Sequence, residues 1–284
     1  MDNRKKYYFR ISSHHRLIKW SRIREVWRYR DLIWLMTKRS FQLGYKQTIL
    51  GPLWMFFGPV FSSLVYTIVF GGVAHIQTDG VPKILFYLVS TTVWGFFASS
   101  LTGNASTFTS NAGIFGKVYF PRMVVPLSNV LSGLIRLGIH SIIIIGVLVY
   151  FIVNGAVTPN LHAIWMLPPA LLVIGVMGMS CGIIISSVTT KYRDLSMLVG
   201  FVVTLWMYIT PVVYPISQVE IPWLSTLLIF NPMTIPMEVV RFVLFGKAYF
   251  NLISLLVCLV FTVAVSFFGI MLFNKVERNF MDTV

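Results

Sequence analysis

The chain has 284 residues, of which 56% are hydrophobic and only 11% are charged. Soluble domains carry about 25% charged residues, so this chain lacks the polar surface that a water-soluble globule needs. The composition excludes an ordinary soluble domain and predicts an all-α, polytopic membrane protein. Its formal net charge of +14 indicates contact with anionic partners or with an anionic membrane surface.

The first segment, residues 1–50, holds 13 basic and 3 acidic residues, a net charge of +10. A basic segment can bind nucleic acid, but no soluble binding module follows it, so we expect no nucleic-acid partner. We predict a cytoplasmic segment beside anionic lipid. Within it, residues 23–39 predict one amphipathic interface helix. Its apolar arc would contain Ile23, Val26, Trp27, Ile33 and Trp34, although Arg30 intrudes on it.

A bilayer core of about 30 Å requires about 20 apolar residues in a helix. Six stretches meet that requirement and predict a transmembrane domain over 51–274, followed by a cytoplasmic tail over 275–284. The six spans are 52–74, 84–103, 123–153, 161–188, 195–214 and 251–274.

The insert at 215–250 lies between the last two spans and contains four prolines. It splits into two short apolar pieces, 221–230 and 233–245. A helix of ten residues covers about 15 Å, half of a bilayer. We therefore predict short re-entrant or interfacial helices whose ends are satisfied by protein or water.

The distribution of basic residues fixes the predicted orientation. With the N-terminus inside, the cytoplasmic segments sum to +13 and the external loops sum to zero. Basic residues are retained on the cytoplasmic side, so both termini are expected in the cytoplasm. For a bacterial protein this places the chain in the inner membrane.

Signatures of catalysis are absent from the sequence. The phosphate-binding pattern G-x-x-x-x-G-K-[ST] does not occur, since Gly116-Lys117 is followed by Val118. Zinc-protease, nucleophile-elbow and Cys/His metal patterns are absent too. We expect no enzyme activity and no cofactor or metal on this chain. Any ATP, with its Mg²⁺, must be bound and hydrolysed by another polypeptide.

Ionisable residues inside the predicted spans are few. No Asp or Glu falls within the six spans, which disfavours an ion-coupled carrier. Arg136 and His140 share one face of the third span because they are four residues apart. They either contact an anionic or hydroxyl-rich substrate or make interhelical hydrogen bonds. In the insert, Glu238 and Arg241 either line an exit or form a local ion pair.

Aromatic residues make up 15% of the chain, and several lie well inside predicted spans. Their rings offer flat apolar surfaces with polar tips, which suit weak contacts to sugars, although packing against lipid or helices is the ordinary role. The candidates for a substrate path are Tyr66, Tyr87, Trp94, Phe97, Trp206 and Tyr208, together with Arg136 and His140.

Several motifs resemble those of the membrane subunits of bacterial polysaccharide ABC exporters, the family that moves lipid-linked O-antigen, teichoic acid or capsule polymers. The resemblance extends in order over nearly the whole chain. The motifs are RYRDLIWLMTKRSFQLGYKQTILGPLW at 28–54, NAGIFGKVYFPR at 111–122, TTKYRDL at 189–195, ITPVVYP at 209–215, FNPMT at 230–234 and KVERNFMD at 275–282.

This resemblance implies a homodimer that pairs with two copies of a separate ATPase and moves a lipid-linked glycan, most simply an O-antigen. Residues 23–39, with Trp27, Arg28, Arg30 and Trp34, would cradle that ATPase. Residues 111–120 would form the main coupling helix, and 191–194 would lie in the second cytoplasmic loop. The ATPase-coupling residues implied are Asn111, Ile114, Lys117, Tyr119, Phe120, Lys191, Arg193 and Asp194.

Three alternatives remain open from the sequence. An exporter of the same build could carry a teichoic acid, a capsule polymer, or a small drug or lipid. An ion-coupled flippase and a membrane-bound glycan-modifying enzyme belong to other classes. The absent intramembrane carboxylates oppose the flippase, and the absent catalytic motifs oppose the enzyme.

Overall fold

The structure is a computed structural model that describes residues 20–44, 53–115, 117–190, 194–247 and 249–281. Within these ranges every regular element is a helix, which confirms the predicted all-α class. The helices are α1 (Trp20–Arg28), α2 (Arg30–Leu43), α3 (Leu53–Tyr66, continued by a π-helix Thr67–Val73), α4 (Lys83–Ala105), α5 (Thr107–Phe115), α6 (Val124–Val153), α7 (Leu167–Thr189, preceded by a 3-10 helix Leu161–Met166), α8 (Leu195–Ile209), α9 (Pro222–Phe230), α10 (Thr234–Phe245) and α11 (Leu252–Met281).

Five of the six predicted spans are confirmed as helices long and apolar enough to cross a bilayer: α3 with its π-helix, α4, α6, α7 with its 3-10 helix, and α11. The fifth predicted span, 195–214, is shorter than expected. Its helix, α8, has 15 residues and is about 22 Å long, less than the bilayer core. It ends at Ile209 because Thr210 precedes Pro211 and adopts an extended conformation.

Helix α4 lies at the centre of the bundle and packs against α3, α6 and α7. Its contact with α7 is close because glycines face α4. A Cβ atom on Gly182 would lie 2.5 Å from the carbonyl oxygen of Leu101 and 2.6 Å from the Cβ of Asn104. Small residues allow such close approach between membrane helices, so glycine is required here.

Loops and helix ends define two ends of the bundle. The basal end contains α5, residues 117–123 and the last turns of α11, where the Phe108 and Phe273 rings stack 4.9 Å apart. The distal end contains residues 74–82 and 154–160 and the segment between α8 and α11. There the Lys247 ammonium donates a hydrogen bond to the Asp79 carbonyl at 2.6 Å.

The insert at the distal end forms α9 and α10, as the two short apolar pieces predicted. The two helices are bent by 88° relative to each other at residues 231–233. Pro232 follows Asn231, whose extended backbone ends α9. Gly246 ends α10 with a left-handed φ of 74°, a conformation that glycine adopts without steric penalty.

The predicted interface helix is interrupted and turned differently from the expectation. Two helices, α1 and α2, replace the single helix, with the break at Tyr29. Ile33 and Thr37 face α6, where the Thr37 carbonyl accepts a hydrogen bond of 3.1 Å from the Ser132 hydroxyl. Trp27 and Trp34 are 70% and 63% exposed. The single helix is therefore divided in two, and packing on α6 buries Ile33 while both tryptophans stay on the outer surface.

Candidate coupling surface and transport path

Helix α5 at the basal end rests on buried aromatic rings. Phe108 and Phe115 are buried, with ring centroids 6.2 Å apart, and Phe115 lies 5.7 Å from Phe120. Together with Phe273 these rings join α5 to α11. Aromatic residues bury large apolar areas, so this cluster holds α5 against the bundle.

Beyond α5 the chain projects an exposed tip, residues 117–119. The amides of Lys117 and Val118 both donate to the Ile114 carbonyl at 3.1 Å, which closes the end of the helix. Lys117 is exposed, and Tyr119 is 77% exposed. A cation and an aromatic ring displayed on a buried base suit contact with another protein.

The other predicted coupling residues of this segment lie closer to the bundle. Asn111 is half-buried, and its amide donates to the Thr107 carbonyl at 3.0 Å. Ile114 is half-buried against the aromatic cluster. Phe120 is 6% exposed and belongs to that cluster. Its side chain therefore supports the tip from inside and has little surface for a partner to contact.

Arg122, the last residue of the motif at 111–122, has a defined position at the basal end. Its guanidinium donates to the Glu277 carbonyl of α11 at 3.1 Å and lies 5.3 Å from the Phe115 ring centroid. Burial lowers the pKa of Arg122, and the charge of Glu277 opposes that shift. Its place at the end of the motif at 111–122 was the signal that marked it.

The second predicted coupling loop is described only in part. Lys191 and Arg193 lie outside the described residues. Asp194 is exposed at the start of α8, where its carbonyl accepts a hydrogen bond from the Met197 amide at 3.1 Å. The acidic side chain is thus presented at the helix N-terminus, where a negative charge is favoured.

The four side chains assigned to the interface helix are all exposed: Trp27, Arg28, Arg30 and Trp34. The Arg30 guanidinium pairs with Asp31 at 3.9 Å, and both side chains are largely exposed. Such surface pairs contribute little to stability. The face that α1 and α2 turn away from the bundle is therefore both aromatic and basic.

Three of the predicted path aromatics belong to the core of the subunit. Tyr87 and Phe97 have no exposed surface, and Trp94 is 5% exposed. Their rings pack against other rings, with Trp94 5.1 Å from Phe97. A side chain without accessible surface cannot contact a substrate, so the burial of these three residues contradicts their prediction as path residues. Residue type alone did not distinguish an inward from an outward face of α4.

The remaining path aromatics retain accessible surface. Tyr66 and Trp206 are half-buried, at 6.3 Å from Tyr87 and 5.0 Å from Phe97 respectively. Tyr208 is 47% exposed near the distal end of α8. These three rings can contact a molecule that passes along the surface of the subunit.

Arg136 and His140 differ in their partners. The Nε2 atom of His140 lies 2.9 Å from the Met55 carbonyl oxygen of α3, so this residue makes an interhelical hydrogen bond. That contact favours the structural alternative for His140. Arg136 is half-buried and makes no hydrogen bond to any residue in the part of the chain that the structure describes.

Glu238 and Arg241 form the local ion pair that the sequence allowed, but they form it in the interior. The two side chains are joined at 2.7 Å and are 4% and 3% exposed. Ionised residues are rarely this buried unless they are paired. The burial of Glu238 and Arg241 could not be predicted from the sequence, because two opposite charges three residues apart fit an exposed helix equally well.

Four of the helices, α3, α6, α8 and α11, present apolar faces outside the bundle. On α3, Trp54, Phe61 and Ile68 are exposed, and on α8, Met197 and Phe201 are exposed. Only three residues of α8 are buried: Val199, Val203 and Met207. Surfaces of this kind contact lipid or another membrane helix.

The long apolar helices define a multi-pass helical membrane protein, and comparison with known families gives its class. The model of the ABC-2 type transporter family matches residues 31–245, more than half of the chain. The chain therefore belongs to the ABC-2 type transporter family. It is a transmembrane permease subunit of an ABC transporter, and membership implies a partner ATPase subunit.

Curated relatives resemble this chain over most of its length. Two proteins from Klebsiella pneumoniae, each named O-antigen export system permease protein RfbA, are 30% and 28% identical to it. Both alignments cover 89% of this chain and 94% of the relative. A protein of the same name from Myxococcus xanthus is 27% identical over 74% of this chain and 79% of its own length.

Proposed function

We propose that this permease exports a lipid-linked polysaccharide of the O-antigen type from the cytoplasm across the bacterial inner membrane. The observation that supports this most directly is the similarity to three proteins named O-antigen export system permease protein, over 89% of this chain for two of them and 74% for the third. The same similarity favours O-antigen over capsule polymers, teichoic acids and small drugs or lipids.

The basal ends of the two permease subunits together form the docking surface for two copies of the ATPase. Lys117 and Tyr119 make the direct contact, and Asn111, Ile114 and Phe120 hold the tip in place. Asp194, with Lys191 and Arg193 of the second loop, provides a further contact. ATP and Mg²⁺ are bound by the partner. Motion of the partner reaches the bundle through the aromatic cluster that joins α5 to α11.

The basal end faces the cytoplasm in this proposal. The +10 charge of residues 1–50 and the basic face of α1 and α2 then lie beside anionic lipid. Trp27 and Trp34 lie at the membrane interface, where tryptophan is enriched. Both termini are cytoplasmic, and 1–50, 51–274 and 275–284 are the N-terminal, transmembrane and C-terminal segments.

Two permease subunits form a homodimer through the apolar faces of α3 and α8. These helices bury little of their own surface within one subunit, so a second copy can cover them. The glycan passes between the subunits along Tyr66, Trp206 and Tyr208, whose rings give weak contacts to sugars. Arg136 offers donors to the phosphate of the lipid carrier or to hydroxyl groups.

The decisive experiment is ATP-dependent export in proteoliposomes that contain this permease and its ATPase. The double variant K117A/Y119A should keep ATP hydrolysis and lose most export, because the tip no longer transmits motion. A matched control is K247A/Y249A, which removes an exposed lysine and tyrosine with the same spacing at the distal end. The control should export like the wild type.

Wild-type export by K117A/Y119A would refute the coupling role of the tip. Export by the wild-type permease without any ATPase would refute the whole proposal. Transport of a small drug but no lipid-linked glycan would assign the protein to another substrate class within the same family.

A further inference from the structure

Helix α8 is weakly held along its length, but its distal end is fixed by polar contacts. Asn231, at the bend between α9 and α10, donates to the Ile209 carbonyl at 3.2 Å and to the Thr210 hydroxyl at 3.1 Å. Its side-chain oxygen accepts from Trp206 Nε1 at 3.4 Å. The last turn of α8 is thereby attached to the bend of the insert.

Arg241 of α10 makes a second attachment just beyond α8. One guanidinium nitrogen, Nη2, donates to the Pro211 carbonyl at 2.6 Å and to the Ser90 hydroxyl of α4 at 2.7 Å. The other, Nη1, donates to Glu238 at 2.7 Å. The guanidinium also lies 4.2 Å from the Phe86 ring centroid. Three segments, namely α4, α10 and the end of α8, meet at this one side chain.

Glu238 both neutralises Arg241 and extends the connection. Its second carboxylate oxygen accepts a hydrogen bond from the Tyr249 amide at 3.2 Å, in the segment that enters α11. Buried ion pairs often add little net stability compared with apolar residues of similar size, and in some proteins they fix one arrangement of the chain. The planar, forked donors of arginine suit this task because they can bond several acceptors in fixed directions.

We infer that Arg241 is a positioning residue that joins the segment just beyond α8 to α10 and to α4, so that these parts move as one body when the exit opens, while Asn231 attaches the last turn of α8 to the bend between α9 and α10. The inference rests on the proposed export function for its purpose, but the attachment itself can be tested without transport. Helix α8 begins at Leu195, directly after Asp194 of the second basal loop, and ends at this attachment. A displacement imposed on its basal end therefore reaches the insert through Arg241 and Asn231.

The test is hydrogen exchange of the purified full-length permease in nanodiscs. In R241K the shorter single ammonium keeps the pair with Glu238 but cannot also bond Pro211 and Ser90. Exchange of amides in residues 206–216 should rise about tenfold, the factor for one charge-assisted hydrogen bond, while α10 stays protected. N231A should raise exchange in the same residues. The control E220Q removes an exposed charge of the distal end that takes no part in the attachment and should match the wild type.

A second measurement adds the ATPase and a non-hydrolysable ATP analogue. In the wild type, exchange in 206–216 and in 222–245 should change together on binding, whereas in R241K only 206–216 should respond. Unchanged exchange in R241K without ATPase, or an equal rise throughout the bundle, would overturn the inference. The first outcome denies the attachment, and the second makes Arg241 a general stabiliser. Failure of the wild type to export glycan would refute the proposed function and leave the first measurement valid.

Discussion

The two ends of this permease use charged and aromatic residues in opposite ways. At the basal end, Lys117 and Tyr119 are displayed on a tip supported by buried rings. At the distal end, Glu238 and Arg241 are buried in the core and hydrogen-bonded to Ser90, Pro211 and Tyr249. The comparison shows that residue type does not decide the role. An exposed charged side chain can contact a partner protein, whereas a buried one is already bonded to residues of its own chain.

The largest effect on stability is expected where a buried charge loses its partner. E238A leaves Arg241 ionised and unpaired, which should lower the free energy of unfolding by about 3–5 kcal/mol. The measurement is unfolding of the purified permease in mixed micelles. E220A removes an exposed carboxylate of the same end and should change stability by less than about 0.5 kcal/mol. Equal effects of the two variants would remove the contrast between the ends.

A smaller effect is expected from the close packing of α7 on α4 towards the basal end. G182A places a methyl group against the Leu101 carbonyl and should lower the unfolding free energy by about 1–3 kcal/mol through overpacking. The control G95A adds the same methyl group where no atom lies within 4 Å. It should be neutral or slightly stabilising because alanine favours helices. Equal unfolding free energies for G182A and G95A would show that the close approach of α7 to α4 does not stabilise this end.

The smallest effect on stability is expected at the exposed face of α2. W34A should change the unfolding free energy by less than about 0.5 kcal/mol, while the neighbouring I33A should lower it by about 2–5 kcal/mol. W34A should instead weaken binding to the membrane interface or to the ATPase. Co-purification with the ATPase and thermal unfolding of both variants measure the two effects. Strong destabilisation by W34A would show that this face is not free.

Much of the fold was predictable because bilayer thickness and helix geometry leave few choices. Apolar runs identified every helix that crosses the bundle, and four prolines identified the broken insert that became α9 and α10. The motif at 111–122 predicted a coupling helix over 111–120, but that prediction was wrong in its bounds, since α5 spans Thr107–Phe115 and residues 117–119 follow it as an exposed, non-helical tip. The length of α8 was overestimated because Pro211 was counted as part of an apolar run.

The candidate site was predicted less well because its residues depend on which face of a helix turns inward. Tyr87 and Phe97 have the composition of path residues, yet they face α3 and α8 and are buried. Trp27 and Ile33 were placed on one arc, but contact with α6 separated them. The local ion pair of Arg241 with Glu238 was one of two alternatives, but its burial and its bonds to Ser90 and Pro211 were not predicted, and Arg122 was counted only as a charge.

The sequence by itself determined that this chain is a multi-pass membrane protein, since hydropathy and charge distribution are properties of residue order alone, and its motifs carried the resemblance to the exporter permeases. Only the tertiary structure decided which side chains are displayed and which are enclosed. The physical reason is that every membrane helix is apolar nearly all round, so its sequence carries little record of which face meets a neighbour. Packing between helices decides which face is buried, and it therefore decides that Lys117 is exposed at the tip and that Arg241 is buried at the junction.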